Sequence, residues 1–135
     1  MIMLVLDIEA SGTEYQTHSI VSLGAIDLDN PERRFYEECR IWDGAHIMDG
    51  ALAVNGYTEA EITDPKKQTE AELIQRFMEW SQHIGNRTLV GQNVSFDRDF
   101  VHAACNRAGL PYDLAYRTLD THSLCYMHML KRGLT

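Results

Sequence analysis

The chain has 135 residues, of which 44% are hydrophobic and 24% are charged, so we expect one globular domain and exclude a disordered or collagen-like protein. The formal charge of −8 disfavours a passive nucleic-acid coat protein, because excess carboxylates repel phosphates unless cations neutralise them. Three widely spaced cysteines without a CxxC pair, and the lack of any apolar stretch of about 18 residues, predict a cytoplasmic protein without disulfides, signal peptide or membrane span.

Three strands are predicted at the start of the chain. Residues 2–6 are a continuous apolar run, typical of a strand buried on both faces, that ends at Asp7-Ile8-Glu9. Residues 18–28 are rich in Ile and Val, and the turn Asp29-Asn30-Pro31 leads to a third strand over residues 33–42. This order predicts a three-stranded meander.

Helices then alternate with short strands. A short helix is predicted over residues 51–54, and a longer helix begins at Thr69, which forms a capping box with Glu72. Residues 88–91 predict a buried strand. The apolar face of the longer helix is expected to contain Leu73, Ile74, Phe77, Met78 and Ile84.

Three further elements complete the chain. A helix begins near Ser95 and ends at Gly109-Leu110-Pro111, residues 117–119 predict a fifth short strand, and a last helix begins near Thr121. The whole order predicts an α/β fold, a mixed five-stranded sheet flanked by helices. The buried face of the helix from Ser95 is expected to contain Phe96, Phe100, Val101, Ala104 and Ala108.

Two carboxylates mark the end of the first strand. Asp7 and Glu9 are two residues apart, so both side chains leave the same face of the sheet, where they repel each other unless a cation lies between them. Alone, a D-x-E pair is more often two solvated residues. The small-residue turn Ala10-Ser11-Gly12 follows, and it would let a sugar and a phosphate approach the backbone closely.

A second acidic motif lies at a later junction between strand and helix. Within Asn93-Val94-Ser95-Phe96-Asp97, Asp97 falls in the first helical turn, where the helix dipole favours a carboxylate that can reach back over the sheet edge. The alternative is that Ser95 caps the helix and Asp97 only complements its dipole. Phe96 fits the core in either case.

These residues resemble a known family. Asp7-Ile8-Glu9-Ala10-Ser11-Gly12 is similar to the first motif of the DEDD superfamily of 3′-5′ exonucleases, and Asn93-Val94-Ser95-Phe96-Asp97 is similar to the second. Asn55-Gly56-Tyr57-Thr58 resembles an NG-x-T pattern of its proofreading branch, which uses a histidine base, and Asp120-Thr121 resembles an acid-threonine pair that opens a helix. The resemblance covers the whole chain and implies a ribonuclease H-like fold.

The resemblance also implies a metal-dependent site. In the family, four acids hold two divalent ions, Mg²⁺ or Mn²⁺. By this resemblance Asp7 would bridge both ions, Glu9 would hold the ion that activates the attacking water, and Asp97 would support the second ion. The substrate-binding positions would be Ala10, Ser11, Gly12, Asn55, Asn93 and Phe96.

The third motif of the family has no counterpart here. It contains a general-base His followed by the fourth Asp, whereas no acid follows His122 or His128, and Asp120 is better explained as a helix N-cap. We therefore expect a single domain over residues 1–135 that is truncated at its C-terminus, with the general base beyond Thr135.

The predicted function is a 3′-5′ exonuclease that releases mononucleotides from the 3′ end of single-stranded DNA or RNA, with a polymerase or another replication or repair protein as a possible partner. The alternative is a module of the same fold that binds a nucleic-acid end or a polymerase-type partner without cutting. A metal-binding signalling or phosphatase domain is disfavoured, because three strands precede the first helix.

Overall fold

The computed structural model, which describes residues 3–134, is a mixed five-stranded sheet with the order β3-β2-β1-β4-β5. Strands β1 to β3 form the antiparallel meander, and β4 and β5 run parallel to β1. This confirms the predicted fold class, the meander and the order of the strands along the chain. The strands are Leu4–Ala10 (β1), Ile20–Asp27 (β2), Arg34–Glu38 (β3), Leu89–Gly91 (β4) and Thr118–Asp120 (β5).

Five helices accompany the sheet: Asp49–Asn55 (α1), Glu59–Ile62 (α2), Glu70–Ser81 (α3), Val94–Ala108 (α4) and Thr121–Lys131 (α5). The predicted capping box of α3 is confirmed, since the Thr69 hydroxyl and the Glu72 amide, and the Glu72 carboxylate and the Thr69 amide, are each 3.1 Å apart. A second capping box, Thr58 with Glu61, opens the four-residue α2, which the sequence analysis did not predict. None of the helices described over residues 3–134 has the length and apolar content that crossing a membrane requires.

The core lies between the sheet and the pair α3 and α4. Leu73, Ile74, Phe77 and Met78 of α3 are buried as predicted, whereas Ile84 is buried just beyond the helix end. Phe96 is only partly buried and packs on Phe100, with the ring centroids 4.8 Å apart. Apart from Ile84 and Phe96, the buried residues named here lie where the helical periodicity of α3 and α4 predicts them.

Strand β1 differs from its prediction in two ways. Leu6 and Ile8 are 2% and 6% exposed, but Val5 is half-buried and Asp7 is exposed, so the strand is not buried on both faces. The helices cover one face of the meander and leave the other open. The strand also continues to Ala10, because Glu9 pairs with Ser22 of β2; the predicted first residue, Ile2, lies outside the described residues.

Strand β3 ends at Glu38, four residues before the predicted end. The backbone turns away from β2 there, because the Arg40 amide donates to the Gln68 carbonyl at 2.9 Å and the Ile41 amide donates to the Ile62 carbonyl at 2.9 Å. The segment after β3 is therefore bound to the helical layer.

A buried ion pair connects α3, α4 and the segment before β2. Glu70 is 2% exposed, and Arg107 donates to its carboxylate from Nε at 2.9 Å and from Nη2 at 3.1 Å. The same carboxylate accepts hydrogen bonds from the Ser19 hydroxyl at 3.0 Å and the Ile20 amide at 2.8 Å. Glu70 of α3 therefore has partners on α4, on β2 and in the segment before β2.

Candidate active site

The strand register places the two predicted carboxylates on the open face of the sheet. Asp7 lies opposite Gly24 of β2, which lies opposite Tyr36 of β3. Glu9 lies in the neighbouring row, opposite Ser22. Since side chains alternate along β1, Asp7 and Glu9 share this face, as the sequence predicted.

Asp97 joins this pair from α4. Its Oδ1 accepts a hydrogen bond from the Ile8 amide at 2.7 Å, and Ile8 is the residue between the two carboxylates of β1. The reach of Asp97 to the sheet is confirmed. The alternative in which Ser95 caps the helix is wrong, because α4 begins one residue earlier and its N-cap is Asn93, in the left-handed conformation with φ 52°.

Close packing at Gly91 fixes the junction between β4 and α4. A Cβ atom at this position would lie 2.7 Å from the Leu6 carbonyl oxygen and 3.2 Å from the Val94 side chain. Only glycine allows this approach of backbone to backbone. Gly91 therefore helps to set the distance between β1 and the first turn of α4.

The three acids influence one another. Burial, together with the nearby charges of Asp7 and Glu9, raises the pKa of Asp97 to about 7, although the hydrogen bond from the Ile8 amide opposes the shift. The pKa of Glu9 is also raised, first by its burial and then by Asp7. Negative charge at this sheet edge is therefore incompletely compensated.

A cation would relieve this repulsion, and carboxylate oxygens are the ligands that Mg²⁺ and Mn²⁺ prefer. Asp7, Glu9 and Asp97 are the residues that could hold such ions, so the chemistry of the donors fits. Within residues 3–134, however, no three His, Cys, Asp or Glu side chains are already arranged around one ion. The Oδ1 atom of Asp97 also accepts a hydrogen bond from the Ile8 amide. The three acids therefore lie near one another without surrounding a common ion position.

A cavity of about 430 Å³ opens beside the acids. Asp7 and Glu9 line it from β1, Tyr36 lines it from β3, and Tyr57 lines it from the segment after α1. Asn55 also lines it, donating from Nδ2 to the Ala10 carbonyl at 3.1 Å and accepting from the Tyr57 amide at 3.1 Å. A hydrogen bond thus connects the predicted substrate-binding residues Ala10 and Asn55 at the end of β1 that carries the acids.

Ser11 and Gly12 are shielded from this cavity. Ser11 is buried, its hydroxyl donates to the His46 carbonyl at 2.8 Å, and it accepts from the Ser19 amide at 2.9 Å. A Cβ atom at Gly12 would lie 2.1 Å from the His18 ring. The absence of a side chain at residue 12 therefore makes room for His18, and the proposed contact of both residues with substrate stays a prediction.

The remaining candidate residues lie away from the cavity. Asp120 accepts from the His122 amide at 2.9 Å, which confirms its role as the N-cap of α5. His122 and His128 are exposed on that helix. Asn93 and Phe96 lie at the start of α4, outside the lining of the cavity.

Among the cavity residues to which the sequence analysis gave no role are Ser22, Tyr36 and Tyr57. Ser22 and Tyr36 lie on strands that the sequence does predict, but their position opposite the acids depends on the register of the meander. Tyr57 lies within the Asn55-Gly56-Tyr57-Thr58 motif, and this was the one signal that could have identified it.

Replacement of Asp97 by asparagine should stabilise the metal-free protein above pH 7. The folded-state pKa is raised from 3.8 to about 7, so the stabilising protonation of Asp97 is complete below about pH 4 and is lost as the pH rises through 7. The asparagine side chain keeps an acceptor for the Ile8 amide but carries no charge. Urea unfolding in EDTA should show Asp97→Asn more stable at pH 8 by up to about 4 kcal/mol.

The same difference should vanish near pH 4, where the parent carboxyl is protonated. Asp99→Asn is the matched control, since that side chain is 42% exposed and paired with Arg98. It should change stability by less than about 1 kcal/mol at either pH. An Asp97→Asn protein that is less stable than the parent at pH 8 would contradict the assigned environment.

The chain is similar to known nucleases. The family model for exonucleases, RNase_T, matches residues 4–135. Ribonuclease T of Klebsiella pneumoniae is 26% identical over 140 aligned positions, which cover 90% of this chain and 63% of that protein. DNA polymerase III PolC-type of Bacillus cereus is 26% identical over 109 residues, which cover 79% of this chain and 7% of that protein.

The fold matches a solved nuclease. E. coli exonuclease I in complex with a 5cy-dA13 oligonucleotide superposes with a TM-score of 0.81 at 19% identity, over 98% of this chain and 30% of that one. The chain thus spans less than two thirds of each of these relatives. Because the family model matches almost every residue, the protein belongs to the exonuclease family, within the DEDD superfamily.

Proposed function

We propose that this chain carries the metal-binding and substrate-binding part of a 3′-5′ exonuclease that releases mononucleotides from single-stranded nucleic acid. The observation that supports it best is the convergence of Asp7, Glu9 and Asp97 beside the 430 Å³ cavity, with the pKa of Glu9 and of Asp97 raised by burial and by the neighbouring acids. Perturbed carboxylates at a cleft are typical of catalytic sites. Membership of the exonuclease family points to the same chemistry.

Each residue has a proposed role. Asp7 would contact both of two divalent ions, Glu9 would contact the ion on the side of the attacking water, and Asp97 would support the second ion. Such ions supply charge stabilisation for the attacking and leaving oxygens of a phosphodiester. Asn55 keeps the Ala10 carbonyl and the Tyr57 amide in place at the cavity edge.

The general base is proposed to come from outside residues 1–135. Among the described residues, none of the histidines lines the cavity beside the acids, and His122 and His128 are exposed on α5. The ribonuclease T relative is longer than this chain, which covers 63% of it. A domain completed by further residues is consistent with both observations.

The substrate is proposed to be a 3′ end of single-stranded DNA or RNA. The exonuclease I structure contains a deoxyadenosine oligonucleotide, and ribonuclease T is by its name a nuclease for RNA. The similar proteins therefore include one that binds DNA and one that acts on RNA. The PolC relatives make a polymerase a candidate partner. A protein that binds such an end without cutting it remains the second candidate, supported by the lack of a histidine in the cavity lining among residues 3–134.

Digestion of end-labelled single strands with Mn²⁺ tests the direction of hydrolysis. A 5′-labelled strand should give a ladder that shortens from the 3′ end, and a 3′-labelled strand should release labelled mononucleotide at once. Asp7→Ala should abolish both products. Internal fragments from a circular strand would contradict the exonuclease assignment, and binding without any product would support the second candidate.

Manganese should raise the melting temperature of the parent and should do so much less in Asp7→Ala. Binding to the folded state alone adds RT ln(1 + [L]/Kd), or about 2.7 kcal/mol at a concentration 100 times Kd. Asp43→Ala is the matched control, because Asp43 is an exposed acid outside the cavity. Equal manganese shifts in the parent and in Asp7→Ala would show that the ions bind elsewhere.

A further inference from the structure

Tyr36 and Tyr57 form an aromatic wall of the cavity beside the acids. Tyr36 is 65% exposed, and its ring lies beside Gly24, where a Cβ atom would be 3.6 Å from the ring. Since Gly24 has no side chain, nothing on β2 stands between Tyr36 and Asp7 in their row of the sheet. Two strand spacings separate these residues, about 10 Å between their Cα atoms.

Contacts between side chains hold this aromatic wall in place. The hydroxyl groups of Tyr36 and Tyr57 are 3.4 Å apart, and the Tyr36 hydroxyl donates to Glu38 at 3.3 Å. Lys67 lies 5.4 Å from the centroid of the Tyr57 ring and 2.9 Å from the Glu38 carboxylate. Burial raises the pKa of Tyr57, so its hydroxyl keeps its proton. Both rings are thus pre-positioned, which lowers the entropy lost on binding.

The charge of the cavity excludes one orientation of a nucleotide. Glu9 and Glu61 line it, and Glu38 lies beside its tyrosines. A phosphate at the tyrosine end would therefore meet the carboxylates of Glu38 and Glu61, and the Lys67 ammonium at that end is already paired with Glu38 at 2.9 Å. An uncharged aromatic group fits there, while the phosphate fits the end where ions would neutralise Asp7 and Glu9.

We propose that Tyr36 and Tyr57 form a nucleobase subsite, in which the exposed ring of Tyr36 stacks on the base of the nucleotide whose phosphate lies at Asp7. Tyr57 acts as a positioning residue, because its hydroxyl contacts that of Tyr36. This inference rests on the proposed function. Every base has a π-face, so the subsite should accept all four bases and should discriminate against a sugar phosphate that lacks a base.

Calorimetric titration with two products in Mn²⁺ tests the subsite. Adenosine 5′-monophosphate has the base and ribose 5-phosphate lacks it, so the ratio of their affinities isolates the contribution of stacking. Tyr36→Ala should weaken the binding of adenosine 5′-monophosphate by about 5- to 100-fold and leave the affinity for ribose 5-phosphate within about twofold. Tyr36→Phe keeps the ring and should retain most of the affinity.

The matched control is Tyr116→Ala, since Tyr116 is also exposed but packs near Tyr112 and His102, away from the cavity. It should bind both ligands like the parent. A general loss of structure would weaken both ligands together, and the melting temperature of each unliganded variant is recorded to detect it.

Three outcomes would overturn the inference. A parent that binds both ligands equally, or a Tyr36→Ala protein that keeps the melting temperature of the parent but loses affinity for both equally, would show that the base does not reach the tyrosines while leaving the proposed function intact. A parent that binds neither ligand would contradict the subsite and the proposed function together. Base-dependent binding without any strand cleavage would uphold the subsite and contradict only the hydrolysis.

Discussion

Replacing Arg107 with methionine should reduce the free energy of unfolding by about 3 kcal/mol. The change leaves the Glu70 carboxylate, which is 2% exposed, without its cation, and removal of one partner from a buried pair typically costs about 3–5 kcal/mol. We place the effect at the lower end, because 26% of the Arg107 side chain is in contact with water and the Ser19 and Ile20 hydrogen bonds remain. Urea denaturation at neutral pH measures it.

Two further variants separate this effect from the loss of packing. Arg76→Met removes an exposed pair, in which Arg76 donates to Glu37 at 2.8 Å, and should lower the stability much less than Arg107→Met does. The double variant Glu70→Gln with Arg107→Met leaves no uncompensated charge, so it should be more stable than Arg107→Met alone. A single Arg107→Met loss below about 1 kcal/mol would mean that the pair does not hold the elements together.

Residues 1–135 alone should hydrolyse a short single strand about 10²- to 10⁴-fold more slowly than Klebsiella pneumoniae ribonuclease T under the same conditions. A positioned general base typically contributes that factor, and we propose that the base is absent from this part of the protein. Added imidazole should increase the rate in proportion to its concentration, because a free base can partly replace a missing one. Release of labelled mononucleotide in Mn²⁺ measures both effects.

The controls for this experiment come from the chain itself. Asp7→Ala should remove the residual activity and so exclude a contaminating nuclease. His122→Ala and His128→Ala should leave the rate within about twofold of the parent, since both side chains are exposed on α5. Loss of activity in either His variant, or a rate equal to that of the relative, would locate the base within residues 1–135.

Much of the fold could be predicted because local signals agree with it. Thr69 and Glu72 predict the start of α3 through a capping box, and Gly109 ends α4 in the left-handed conformation that glycine favours. The open face of β1 could not be predicted from a continuous apolar run. A run of Leu and Val fits one buried face or two, and the number of layers that cover the meander decides between them.

The candidate site, too, could be predicted from the sequence only in part. Asp7 and Glu9 share a face by strand alternation alone, and the position of Asp97 in a first helical turn follows from the strand-to-helix junction. Tyr36 reaches the acids through two strand pairings, which single-sequence patterns do not specify. Glu70 and Arg107 are 37 residues apart, and nothing local indicates that they meet.

The hydrogen bond from the Ile8 amide to Asp97 has a consequence for spectroscopy. The amide nitrogen lies 2.7 Å from the Asp97 Oδ1 atom, so its proton is polarised by the charge that the carboxylate carries. Its NMR resonance should therefore move downfield as Asp97 loses its proton and back again as a cation withdraws electron density from the same group. A single backbone resonance in the middle of β1 thus reports on the ionisation of the neighbouring helix without any label at the site itself.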